Sequence, residues 1–132
     1  LIIVVTLFLV FGKTVRKKIT LYRMRKKYEK FSNSYTEQLR AIRSESDIRD
    51  AEITLILWKT YLESLEKIPY TKLTTKEILK GEENAQLQTA LKSIDRSIYG
   101  RINDKELFKQ FEVLEDICLD KYKKKVEEVK HG

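Results

Sequence analysis

Apolar residues fill the segment LIIVVTLFLVF at 1–11 without a single charge, and Gly12 leads directly into a run where Val15, Ile19, Tyr22, Met24, Tyr28 and Phe31 recur among cations at helical spacing. The first twelve residues are hydrocarbon-seeking but short. At about 1.5 Å of rise per residue they cover little more than half of the roughly 30 Å core of a bilayer. Charge follows the apolar run instead of preceding it, and no small-residue cleavage site comes after it, which argues against a secretory signal peptide. The segment 1–12 is therefore expected to be the C-terminal part of a transmembrane helix, continued at 13–33 by a basic juxtamembrane helix. SNS at 32–34 predicts a break, with Ser34 capping a short helix over 35–43.

Further along, the pattern becomes that of a packed bundle. Ala51, Leu55, Trp58, Leu62 and Leu65 are spaced 4, 3, 4 and 3 and form one stripe of a helix over 47–68, capped by Ser44 or Ser46 and ended by Pro69. Ile53, Ile56, Leu57 and Tyr61 widen that stripe, as for a helix packed on two neighbours. Thr74 stands three residues before Glu77, a capping-box spacing, ahead of a short helix stopped by Gly81. A helix over 83–99 carries Leu87, Leu91, Ile94 and Ile98 on one face, with Gly100 at its end. Asn103 and Glu106 repeat the capping spacing, YGRIND makes an αα-hairpin turn, and a last helix runs through Leu107, Phe111, Leu114, Ile117 or Cys118, and Tyr122 before fading into KKKVEEVKHG. The expected fold is all-α: the end of a span, a basic stalk, and a bundle of about four helices over 34–129.

Composition agrees with helices: one Pro and four Gly stand among 36% charged residues. The formal net charge of +7 changes meaning once it is placed along the chain. Between residues 13 and 30 there are nine Lys or Arg against the single acid Glu29, and the remainder is close to neutral. Cations confined to the flank of an apolar run follow the positive-inside rule, whereas a nucleic-acid surface would spread them over a folded face. Lys13, Arg16, Lys17, Lys18, Arg23, Arg25, Lys26 and Lys27 are accordingly assigned to lipid headgroups at the cytoplasmic side of the inner membrane. Nucleic-acid binding through 13–30 is the weaker alternative.

Chemistry is sparse. The lone His131 and lone Cys118 leave no transition-metal set and no intramolecular disulfide, and Cys118 reads as a small core side chain. The acid pairs Glu82 and Glu83, Glu115 and Asp116, and Glu127 and Glu128 alternate with Lys as a solvated face does. No phosphate loop, nucleophile elbow or dinucleotide fingerprint occurs, so no enzyme, cofactor or metal is expected. The stalk lacks the phospho-accepting His of a sensor kinase and the sustained heptads of a chemoreceptor. Candidate partner contacts are Trp58, otherwise a core residue, together with Asp95 and Tyr99. For these two the structural alternatives are pairing of Asp95 with Arg96, Arg101 or a nearby Lys, and anchoring of the hairpin by Tyr99.

Taken in order, the apolar run, the basic flank, LWKTYLESL, TTKEIL, LQTALKSIDRSIYG and LFKQFEVLEDICLDKY resemble the cytoplasmic tails of Bat-type (BatD-like) aerotolerance-operon membrane proteins. That resemblance implies a non-enzymatic member of a cell-envelope complex. Its cytoplasmic tail would serve a partner such as a MoxR-type AAA+ ATPase or a von Willebrand factor A protein. A membrane stalk that transmits a signal is the alternative function.

Overall fold

The computed structural model describes residues 2–44, 48–80, 82, 84–100 and 106–132. Among them the regular structure is entirely helical: α1 (Ile2–Ser44), α2 (Ile48–Glu66), a 3-10 turn (Tyr70–Lys72), α3 (Thr75–Leu79), α4 (Ala85–Gly100) and α5 (Leu107–His131). The all-α expectation holds. Ser46, Asp47, Gly81, Glu83 and residues 101–104 of the YGRIND turn, Asn103 included, lie outside the described residues. α1 meets α5 at Tyr28–Tyr122 and at Tyr35–Phe111 and so runs antiparallel to it, while the contacts Trp58–Leu114 and Glu66–Lys121 set α2 parallel to α5. With α4 and α5 joined by a short connection, the four longer helices alternate up and down.

The expected break at 32–34 is absent. α1 runs unbroken for 43 residues, about 65 Å, through Ser32, Asn33 and Ser34, and Ser34 caps nothing. The weak helix propensity of these residues costs a few tenths of a kcal/mol each, roughly. Burial of Phe31, Tyr35, Leu39 and Ile42 on one face outweighs it, at about 1.5–3 kcal/mol for each large apolar side chain. The exposed Thr36 hydroxyl also donates to the Ser32 carbonyl at 2.8 Å, following the helix instead of interrupting it.

Two buried donors hold α1 and α2 to α5. The Tyr35 hydroxyl donates to the Phe111 carbonyl at 2.5 Å, and Trp58 Nε1 donates to the Leu114 carbonyl at 2.9 Å. Both side chains are fully buried. Ala51, Leu55, Trp58 and Leu62 form the buried stripe of α2, as their spacing predicts, and Leu65 is half-buried. The widening of that stripe is only half realised: Tyr61 is buried and Leu57 half-buried, but Ile53 and Ile56 are exposed. They share with the exposed Glu52 and Thr60 the face of α2 that its neighbours α1, α4 and α5 leave open.

Helix ends follow local chemistry. α2 stops at Glu66, two residues short of its expected end. Ile68 precedes Pro69 and is steered away from helical geometry, while Lys67 takes left-handed backbone with φ 63° as its N–H bonds the Glu63 carbonyl. The Thr74–Glu77 capping box forms in both directions. Asn84 caps α4, its side-chain oxygen accepting from the N–H groups of Gln86 and Leu87 at 3.0 and 3.3 Å. Glu106 makes no side-chain cap for α5. That helix does not fade after Tyr122 but continues to His131, with Val126 and Val129 half-buried.

One ionic cluster ties the lower end of the bundle together. Lys121 Nζ meets Glu66 at 3.1 Å and Glu82 at 3.2 Å, and the Tyr70 hydroxyl donates to Glu66 at 2.8 Å. Burial works against the Lys121 charge, but hydrogen bonds and charges from the two glutamates outweigh it and raise its pKa. Cys118 is buried and free, and burial pushes its thiol pKa well up, so it is an inert core residue.

Trp58→Ala is expected to cost about 3–5 kcal/mol, and Ile56→Ala less than about 0.5 kcal/mol, in urea unfolding followed by circular dichroism. A second expectation concerns Glu115, half-buried with one oxygen lacking a hydrogen-bond partner. Burial, then the charges of Asp116 and Glu112, raise its pKa. The folded chain thus holds this proton more tightly than the unfolded chain, so the ionised group lowers stability above the raised value, and that loss is relieved as pH falls through it. Glu115→Gln should raise the melting temperature at neutral pH, with a gain over wild type that shrinks and vanishes as the solution is acidified below the ordinary carboxylate range.

Candidate functional site

Two surfaces hold the residues singled out from the sequence. The first is the N-terminal half of α1. From Ile2 to Phe11 every large apolar side chain is exposed, from 51% at Leu7 to 84% at Ile2, and nothing in the bundle covers them. Among the described residues no helix is long and apolar enough to cross a membrane. Helical geometry then distributes the cations around the axis. Lys13, Arg16, Lys18, Arg23, Arg25, Lys26 and Lys27 are exposed, and Lys17 is half-buried because its Nζ donates to the Lys130 carbonyl near the end of α5 at 3.2 Å. Val15, Ile19 and Tyr22 stay exposed between them. The Tyr22 ring lies 5.8 Å from the Arg25 guanidinium and 5.5 Å from Lys26 Nζ, within cation–π range.

The arrangement is a helix with an apolar tip and a cationic collar, whose other end is built into a protein core. Long Lys and Arg side chains in general can lay their stems along apolar surface while their charged heads stay in a polar layer. Tyrosine favours the same layer.

The second surface is a groove of about 680 Å³ between α2, α4 and the 3-10 turn with α3. Leu55, Ile56, Leu73 and Ile98 supply its apolar lining, and Lys59, Lys72, Lys76, Glu52 and Asp95 its charges. Asp95 and Tyr99 both belong to it. Tyr99 is 84% exposed and so does not anchor the hairpin. Asp95 is half-buried and forms no salt bridge among the described residues. Trp58 is absent from the groove and spends its indole N–H on α5. It is a core residue and not a surface contact.

Ile56, Leu73 and the three lysines of the groove were not singled out by sequence. A usable signal existed for Ile56, which sits off the Ala51–Leu62 stripe by about a quarter turn or more, but pattern alone treats such a residue as a wider core. Leu73 lies past the turn after α2, where its carbonyl accepts from Lys59 Nζ at 3.3 Å.

Of the acid pairs, Asp116, Glu127 and Glu128 are exposed, whereas Glu115 is half-buried and Glu82 belongs to the Lys121 cluster; Glu83 lies outside the described residues. No group of three or more His, Cys, Asp or Glu able to hold a metal ion occurs among the described residues. Comparison with protein-family models, with curated proteins and with solved structures finds no match.

Proposed function

We propose that this chain is a non-enzymatic, membrane-anchored helical interaction module, facing the cytoplasm from the inner membrane and docking a protein partner there. The observation that carries this reading is the exposed apolar tip of α1, continuous with a cationic collar and with the core of the bundle on one helix. Leaving nine large apolar side chains in water forgoes roughly 1.5–3 kcal/mol for each that could be buried. Lipid accepts them without further structure, and the collar then meets anionic headgroups at about 1 kcal/mol per cation near the surface. Nucleic-acid binding through 13–30 fits less well, because the same cations flank a surface that water rejects.

The groove between α2 and α4 supports the docking half of the reading. Its apolar floor and its three lysines, Lys59 from α2, Lys72 from the 3-10 turn and Lys76 from α3, suit an amphipathic helix that lays its apolar side against Ile56 and Ile98 with acidic residues toward the lysines. The resemblance to Bat-type tails makes a MoxR-type AAA+ ATPase the first partner to try, with a von Willebrand factor A protein next. A signal-transmitting stalk remains the second function, favoured by one observation: α1 passes from tip to core with no break that could absorb a movement.

Phe8→Asp places a charge in the apolar tip while leaving the bundle untouched. It should weaken partition into phosphatidylcholine vesicles by at least about a hundredfold at unchanged melting temperature. Partition equal to wild type would refute anchoring through this segment. For the groove, Ile56→Glu should abolish binding of a purified MoxR-type ATPase from the same genome in calorimetry, with the fold preserved. Binding that Ile56→Glu leaves intact would exclude the groove, and no binding by wild type would exclude that partner.

A further inference from the structure

A second cavity, of about 320 Å³, opens where α1, the end of α2 and the last turns of α5 meet. Four cations line it, from three different elements: Arg23 and Lys27 of α1, Lys67 just past α2, and Lys125 of α5. No carboxylate is among its lining residues, though Glu128 lies 3.4 Å from Lys125 Nζ on the neighbouring turn. Like charges converge in this way at a cost, unless something anionic occupies the space between them.

Two features mark this as more than a crowded surface. Tyr61 lines the cavity, is 8% exposed, and its hydroxyl is buried with no hydrogen-bond partner. Burial pushes its pKa up, so at neutral pH it is a donor without an acceptor. Leaving such a group unmatched costs about 1–3 kcal/mol. The second is Lys67, which holds left-handed backbone, φ 63°, at a position where Gly is the usual occupant. A Lys there costs about 1 kcal/mol or more in backbone strain. Its charge partly offsets this at the negative end of α2, and the same turn brings the side chain to the cavity.

We infer that this cavity binds the phosphate of an anionic phospholipid headgroup, with Arg23, Lys27, Lys67 and Lys125 around the phosphate and the Tyr61 hydroxyl donating to it. The lipid source rests on the anchoring reading above. Tyr22, exposed and of the type that settles at the lipid–water boundary, immediately precedes Arg23 on α1, which sets the cavity at headgroup level. Met24, Leu65 and Val129 add apolar wall, which a headgroup with its glycerol tolerates and a bare hydrated ion does not need. Basic pockets between helices on the cytoplasmic side of a membrane take anionic headgroups for the same reasons of charge and shape.

The test uses the full chain and three probes: phosphatidylcholine vesicles, the same vesicles with phosphatidylglycerol added, and inorganic phosphate. Wild type should bind the phosphatidylglycerol vesicles more tightly than phosphatidylcholine alone. The pair Lys67→Gln and Lys125→Gln should reduce that preference about tenfold or more. The equally charged pair Lys123→Gln and Lys124→Gln, outside the cavity, should reduce it less than about threefold because exposed charges are screened. Tyr61→Phe, which changes no charge, should lose about threefold to tenfold of the preference while melting no lower than wild type in the absence of lipid. Equal losses in the two lysine pairs together with a wild-type preference in Tyr61→Phe would reduce the cavity to diffuse charge and overturn the proposal. Inorganic phosphate raising the melting temperature as far as phosphatidylglycerol vesicles do would overturn the lipid source. Failure of the anchoring reading is separate, appearing as absence of wild-type partition into phosphatidylcholine alone.

Discussion

Two carbonyls on one turn of α5, those of Phe111 and Leu114, receive the only polar groups of Tyr35 and Trp58 in the interior. Each donor comes from a large ring that is otherwise wholly apolar in its surroundings, so its hydrogen bond has no substitute within reach of water. Displacing either would leave a buried donor unmatched, at about 1–3 kcal/mol, in addition to the lost packing. The rotation of α1 and the rotation of α2 about their axes are therefore both referred to α5. Once those rotations are set, the rest of the architecture is constrained. Tyr28 meets Tyr122, Phe31 meets Tyr61, and Lys121 falls between Glu66 and Glu82.

Much of this was legible as spacing. The stripe of α2, the capping box before α3 and the all-α class follow from local rules, because helix period and cap chemistry act over three or four residues and do not wait for the fold. Failures came where a distant partner decided the outcome. SNS at 32–34 has the composition of a break, yet Phe31 and Tyr35 on either side are both core residues, so interruption would strand one of them. The tail KKKVEEVKHG looks solvated, but Tyr122, stacked on Tyr28, is followed at spacings of 4 and 3 by Val126 and Val129, both half-buried. Ile53 and Ile56 are the converse case: sequence shows that a residue is apolar but not whether anything covers it.

The candidate surfaces divide along the same line. The apolar tip and the collar are contiguous in sequence, and their placement was readable from charge counted along the chain. The groove was readable in part, through Asp95 and Tyr99 on one helix, while its opposite wall depends on a turn bent by Pro69. The cationic cavity was not readable at all. Arg23 and Lys27 looked like two more members of the collar, and Lys67 and Lys125 are far away in sequence; only antiparallel packing of α5 on α1 brings them together.

Continuity of α1 has a mechanical consequence. A flexible joint between tip and bundle would let the bundle adopt any orientation above a lipid surface, and its groove would sample all directions. An unbroken helix instead couples tilt and rotation of the tip to the bundle, since bending an α-helix without Pro or a bulge means stretching its backbone hydrogen bonds. Among the described residues the chain has its single Pro at position 69, well outside α1. The Lys17 bond to the Lys130 carbonyl adds a second point of attachment, tying the collar to the end of α5. In the proposed function, lipid contact at the collar and partner contact at the groove would be made by one body with a common orientation. Any preference of the cavity for a headgroup would bias the direction in which the groove faces.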